Sequence, residues 1–173
     1  MAETRITPHE ILLPVKAGFI AATLVAALLL NLLPWSGHAL WIKPDFVALV
    51  VLYWCIETPR RIGFLAAWLL GLTMDVADGT LFGQHALAYT ILAYAGIVLH
   101  RRVRMFAVTS QMLHVVTLLL MNDVIVITVR ALAGAEFPGF QYFIGSFVGG
   151  ALWPFMVALF RLPQRPQPDP DHA

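Results

Sequence analysis

Apolar residues in this chain gather in long runs rather than alternating at a strand period or marking one helical stripe. Residues 15–33 hold one charge, Lys16 at the edge, and residues 106–129 hold one, Asp123. A bilayer core of about 30 Å takes roughly 20 apolar residues per helix, within a range of about 17–25. Six spans fit the punctuation: 15–33, 42–58, 62–77, 81–99, 106–129 and 140–160, with tails 1–14 and 161–173. The connectors hold the expected breakers, namely Pro34 and Gly37, Pro59, Gly79, the arginines of 101–104, and Gly134 to Gly139. Spans two and three are short, and a hairpin dipping partway into the membrane is the alternative there. The predicted fold is all-α, a compact bundle of about six transmembrane helices forming one integral membrane domain.

Positive charge gives the orientation. With the N-terminus inside, the cytoplasmic side carries Arg5, Lys16, Arg60, Arg61, Arg101, Arg102, Arg104, Arg161 and Arg165, and the outer side only Lys43 and Arg130. Nine against two over short loops is a strong positive-inside bias. It supports the six-span count, because losing one span would mix the two groups, and it predicts both termini in the cytoplasm. The first run has Glu3 and Glu10 beside Arg5 before it, and it exceeds the length of a signal-peptide core. It reads as a retained first span.

Composition agrees with this reading and narrows the function classes. Of 173 residues, 60% are hydrophobic and 12% charged, about half the charge of an ordinary soluble domain. That argues against a soluble monomer, and disorder is excluded because disordered chains are poor in apolar residues. A net charge of +1 with no basic stripe gives no sign of nucleic-acid binding. Cys55 stands alone, so no internal disulfide forms and no zinc spacing exists. No cofactor fingerprint is present either, neither a phosphate loop nor a dinucleotide motif.

The few polar groups at membrane depth are therefore the informative ones, since a charge there is costly. Asp75 lies 13 positions beyond Ile62, about 20 Å at 1.5 Å per residue, and Asp123 lies 17 beyond Phe106, about 26 Å. Both fall towards the outer side, as do Asp45 at the start of span two and Asn31 near the end of span one. Pro44-Asp45-Phe46 reads as a helix start, with an acid favoured by the N-terminal dipole; partner or ligand contact is the alternative. Asp78 reads as a solvated loop residue. Asp75 continues an i+4 row of Gly63, Ala67 and Gly71, a small-residue groove that admits another helix and turns Asp75 to the interior. There it either fixes helix packing or contacts a partner.

On span five, Gln111, His114 and Asn122 fall within about 80° of one another on a helical wheel, a polar stripe facing other helices, with Asp123 towards a neighbouring face. Gly145-x-x-x-Gly149 on span six reads as packing inside the bundle, with a dimer face as the alternative. Glu57 with Arg60 and Arg61 reads as an interfacial charge group, and Trp35, Trp41 and Trp54 as interface aromatics. Asp75 and Asp123 could in principle form an intramembrane aspartic-protease pair. Asp75 lacks the Gly-x-Gly-Asp pattern of one such family, and Asp123 has no accompanying tyrosine motif. Ser36, Ser110 and Ser146 have no histidine–acid context for nucleophilic catalysis. The expectation is a protein that is not an enzyme.

One stretch carries more than physical pattern. Pro44-Asp45-Phe46, Pro59-Arg60-Arg61-x-Gly63, Gly71-x-x-x-Asp75, the run Leu81-Phe82-Gly83-Gln84-His85-Ala86-Leu87-Ala88-Tyr89, and His100-Arg101-Arg102 together closely resemble the MreD family of the bacterial rod-shape system. The resemblance implies a non-enzymatic inner-membrane scaffold that binds MreC. With it, the protein would couple MreB filaments to the wall synthase RodA and its transpeptidase partner during peptidoglycan elongation. It also implies a fold like the substrate-binding subunits of energy-coupling-factor transporters, so a transporter subunit for a vitamin-type small molecule is the alternative. Asp45, Asp75 and the stretch from Gly83 to Tyr89 would shape the partner-facing region among membrane lipids.

Overall fold

A computed structural model describes residues 15–37, 42–79 and 83–164. Trp41, Leu81, Phe82 and both chain ends lie outside the described residues. Six α-helices fall within them: α1 (Ala17–Leu32), α2 (Phe46–Glu57), α3 (Phe64–Ala77), α4 (Gln84–Arg104), α5 (Val108–Leu132) and α6 (Ile144–Arg161). Short 3₁₀ turns at Phe140–Phe143 and Leu162–Gln164 flank α6, and no strand occurs among the described residues.

The helix bounds differ from the predicted spans in one informative place. α4 runs on through Arg104 instead of ending near residue 99. Arg101, Arg102 and Arg104 occupy its last turn, where cations complement the negative end of the helix dipole. The cluster that reads as a connector thus completes the helix, and the chain breaks at Met105–Ala107 instead.

α2 is the centre of the bundle. Every residue from Val47 to Ile56 is buried, because α1, α4, α5 and α6 all pack on it. A helix that is apolar all round is one surrounded by others. Trp54 belongs to this core and not to an interface belt: it is 0% exposed, and its Nε1 donates to Thr23 Oγ1 at 2.9 Å. Tyr53, Phe160 and Phe19 close around it, with ring centroids 4.9, 5.7 and 6.0 Å from the indole. Cys55 is buried there as a small core residue.

The outside of the bundle is apolar as well. Leu65, Trp68, Leu113, Phe147 and Phe155 are all more than 40% exposed. Helix α5 and the stretch Phe140–Gln164 are each long and apolar enough to cross a membrane. α2 and α3 have 12 and 14 residues, so they reach only about 18 and 21 Å at 1.5 Å per residue. Their ends need hydrogen-bond partners from inside the protein if they stop short of water.

Most of the described cations gather at one end. Arg61, preceding α3, donates to the Val15 carbonyl before α1 at 2.6 Å. Glu57 at the end of α2 takes Arg161 at 3.0 Å and Arg104 at 3.9 Å. The expected grouping of Glu57 with Arg60 and Arg61 is therefore replaced by one with α4 and α6. The turn after α2 swings Arg61 towards α1, leaving Glu57 facing the two helix C-termini.

Small residues set the closest helix approaches. A Cβ on Gly71 would overlap the backbone of His85 and Ala86, so the groove on α3 is filled by the start of α4. Ala67 is buried in the same row, whereas Gly63 has open space around it and sits at the N-cap of α3. The groove begins at Ala67. On α6, a Cβ at Gly145 would lie 2.5 Å from the Lys43 carbonyl, and one at Gly149 would lie 2.8 Å from Leu119. Both glycines serve packing within the chain.

Candidate functional site

The end opposite this cation cluster gathers the polar groups. Three helices start there: α2, α4 and, through its 3₁₀ turn, α6. Each start exposes amide donors and the positive end of a helix dipole, and each meets an aspartate.

Asp45 caps its own helix: its Oδ1 accepts from the Ala48 amide at 3.0 Å. Asn31, near the end of α1, reinforces this start twice. Its Nδ2 donates to Asp45 Oδ1 at 2.9 Å, and its Oδ1 accepts from the Phe46 amide at 3.0 Å. Tyr89 of α4 donates its hydroxyl to Asp45 Oδ2 at 2.7 Å. Lys43 closes the loop by donating to the Asn31 carbonyl at 2.7 Å, which satisfies an acceptor at the end of α1.

α4 is capped from outside itself. Its N-cap is Gly83, which has φ 103° and no side chain to offer. Asp75 of α3 fills that role. Its Oδ2 accepts from the Gly83 amide at 2.8 Å, and its Oδ1 accepts from the His85 amide and His85 Nδ1, both at 2.9 Å. A carboxylate holding amides at a helix start gains charge-assisted bonds and a favourable dipole contact together. Gln84 is buried beside it, with its amide nitrogen 3.3 Å from His85 Nδ1. In the third case, Asp123 of α5 accepts a short hydrogen bond from Ser146 in the first turn of α6.

Between these starts lies a partly open cavity of about 410 Å³. Asn31, Asp45, His85, Asn122 and Asp123 line it, together with Lys43 and the exposed Asp78. Asp75 stands behind His85, and Gly145 forms part of the wall while Gly149 packs deeper. The structure thus brings Asp45, His85, Asn122 and Asp123 together, with Asp75 in the layer behind; Gly63 lies outside the cluster.

The polar stripe on α5 divides. Gln111 accepts from Trp153 Nε1 at 2.9 Å inside the bundle. His114 is half-buried, stacks on Phe106 at 4.8 Å and contacts its own helix at the Ser110 carbonyl. Sequence reasoning placed Tyr89 at the end of the partner-facing stretch but not its bond to Asp45, and it missed Lys43 and Ser146 as members of the network. The available signal was the lack of a capping side chain before α4, which calls for an acceptor from a neighbouring helix.

The two aspartates weighed as a catalytic pair are engaged at different helix starts. An aspartic dyad needs two carboxylates around one water; Asp75 is bonded to the start of α4 and Asp123 to that of α6. Among the described residues no group of three His, Cys, Asp or Glu side chains could hold a metal ion.

Fold and site together define an all-α, apolar-coated bundle whose helix starts are tied to neighbouring helices around a partly open cavity. Comparison with known proteins gives the family. The profile of "rod shape-determining protein MreD" matches residues 15–162. The rod shape-determining protein MreD of Haemophilus influenzae is 30% identical over 142 residues, covering 82% of this chain and 88% of the relative. The chain belongs to the MreD family of rod shape-determining proteins. No solved structure matches it.

Proposed function

We propose that the protein is a non-enzymatic scaffold of the cell-elongation machinery in the inner membrane. It crosses the bilayer six times with both termini in the cytoplasm, binds MreC directly, and links MreB filaments to RodA and its transpeptidase partner. The observation that carries this reading is the set of cross-helix bonds that hold the helix starts at the cation-poor end, with α2 and α4 capped by Asn31 and Asp75 and α6 tied to Asp123. Capping of this kind holds short helices in one rigid arrangement within the membrane and leaves a shaped surface for a partner. Nine cations against two support placing that end outside, where a periplasmic partner domain would meet it.

The cavity favours a second reading, a small-molecule-binding subunit of a transporter, because its volume lies within the usual ligand range of about 300–1,000 Å³. One experiment separates the two. Affinity isolation of the full-length protein from detergent-solubilised membranes is expected to recover MreC and the wall synthase. Recovery of a transporter ATPase in their place would favour the second reading.

A further inference from the structure

The cation-rich end carries more positive charge than its carboxylates balance. Six described arginines and Lys16 gather there against Glu57, the one described carboxylate at that end. Glu57 bonds Arg161 at 3.0 Å and stands 3.9 Å from Arg104, beyond hydrogen-bond reach. Arg101 and Arg102 are exposed and form no ion pair with a described acid, and the Arg104 side chain is 52% exposed. An open recess at the end of α4 is lined by His100, Arg101, Arg104 and Met105, with no carboxylate among the described residues of its wall.

An apolar strip leads into these cations. Phe64, in the first turn of α3, lies 6.2 Å from Tyr94, ring to ring. From Tyr94 to Arg104, α4 therefore runs about 15 Å past the start of the helix it packs on most extensively. Tyr94, Val98 and Met105 are 58%, 58% and 83% exposed, and with Arg101 they fall within about 60° on a helical wheel. An occupant of this face must bring negative charge to the arginines and apolar surface to the strip. A phosphate ester suits the first, because guanidinium groups fork to phosphate oxygens, and an acyl chain suits the second.

We propose that the end of α4 holds an anionic phospholipid of the cytoplasmic leaflet. Arg101 and Arg104 fork its phosphate, and Tyr94, Val98 and Met105 cover an acyl chain. Basic pockets beside membrane helices on this side suit such head groups. A zwitterionic head group fits poorly, because its ammonium meets arginines and finds no carboxylate in the recess. The proposal rests on the membrane orientation given above and adds a lipid partner for the arginines of the last turn.

The test is native mass spectrometry of the full-length protein released from vesicles of equal phosphatidylglycerol and phosphatidylcholine. Retention of phosphatidylglycerol over phosphatidylcholine by about tenfold or more is expected, since each arginine beside an anionic head group contributes about fivefold. The double variant Arg101→Gln with Arg104→Gln should bring the ratio close to one. Arg101→Gln alone, at an exposed and unpaired position, should lower it about fivefold and keeps the test open if the double variant misfolds. Arg130→Gln, in the last turn of α5 at the opposite end, should leave it unchanged. Equal retention of both lipids by the wild type overturns the proposal, as does selectivity that neither Arg101 variant changes or that Arg130→Gln lowers as much. Saturable stabilisation by soluble glycerol phosphate without lipid enrichment would overturn it in favour of a free phosphate ester. An unselective wild type whose recovery of a protein partner depends on Arg101 would overturn it in favour of an acidic protein segment. Wild-type protein that lacks selectivity yet still recovers MreC would remove the lipid and leave the scaffold reading intact.

Discussion

Replacing Asp75 by alanine is expected to destabilise the detergent-solubilised protein by about 3–5 kcal/mol, the usual result of removing one member of a buried bonded pair. The carboxylate serves amides of Gly83 and His85 and the His85 ring at once, and it is 1% exposed. Its loss leaves those donors buried without an acceptor, each costing about 1–3 kcal/mol, and uncaps a helix whose own N-cap is glycine. Asp75→Asn keeps an acceptor but loses the charge, so a smaller loss of about 1–2 kcal/mol is expected. Asp78→Ala, three positions on and exposed, should stay within about 0.5 kcal/mol. Denaturant unfolding in mixed micelles checks the series. Equal effects of Asp75→Ala and Asp78→Ala would show that the cap is not structurally important.

Gly71→Leu should be comparably severe for a different reason. Even the Cβ atom would overlap the Ala86 backbone, and backbone cannot rotate away as a side-chain tip can. α3 and α4 form the most extensive helix pair in the bundle, so separating them also withdraws Asp75 from the amides it caps. Overpacking typically costs about 1–3 kcal/mol, and a backbone clash puts this variant at or above the top of that range. Gly18→Ala gives the contrast. That glycine lies within α1 with nothing around its missing Cβ, and alanine there should stabilise by about 0.5–1 kcal/mol through helix propensity. The same unfolding measurement reads both. Tolerance of leucine at Gly71 would mean that the two helices are farther apart than the structure places them.

Much of the architecture is legible in the sequence because the helices are separated by breakers and carry uninterrupted apolar runs. The position of Asp75 on the small-residue face is legible too, since i+4 spacing fixes which residues share a face. The partners are not. Glu57 stands three residues from Arg60, yet it pairs with Arg161, which is 104 positions away. Trp54 lies near a predicted span end, yet it is buried because α2 is short and surrounded. Gly63 fits the small-residue row by spacing and misses the groove because it precedes the helix. Each miss is a tertiary contact prevailing over a local pattern. The capping of α4 by α3 and the tie of α6 to α5 through Ser146 and Asp123 belong to the same class: the glycine before α4 is visible in the sequence, and the residue that serves that helix start is not.

The claim that this bundle serves cell elongation is tested most directly by cell shape. Where the native cell is a rod, clean depletion, with loss of the protein followed by immunoblot, is expected to turn rods into spheres. Re-expression of the wild type should restore rods, whereas Asp75→Ala and Gly71→Leu should restore them poorly. Cells that remain rods after the protein has gone would contradict the proposed role.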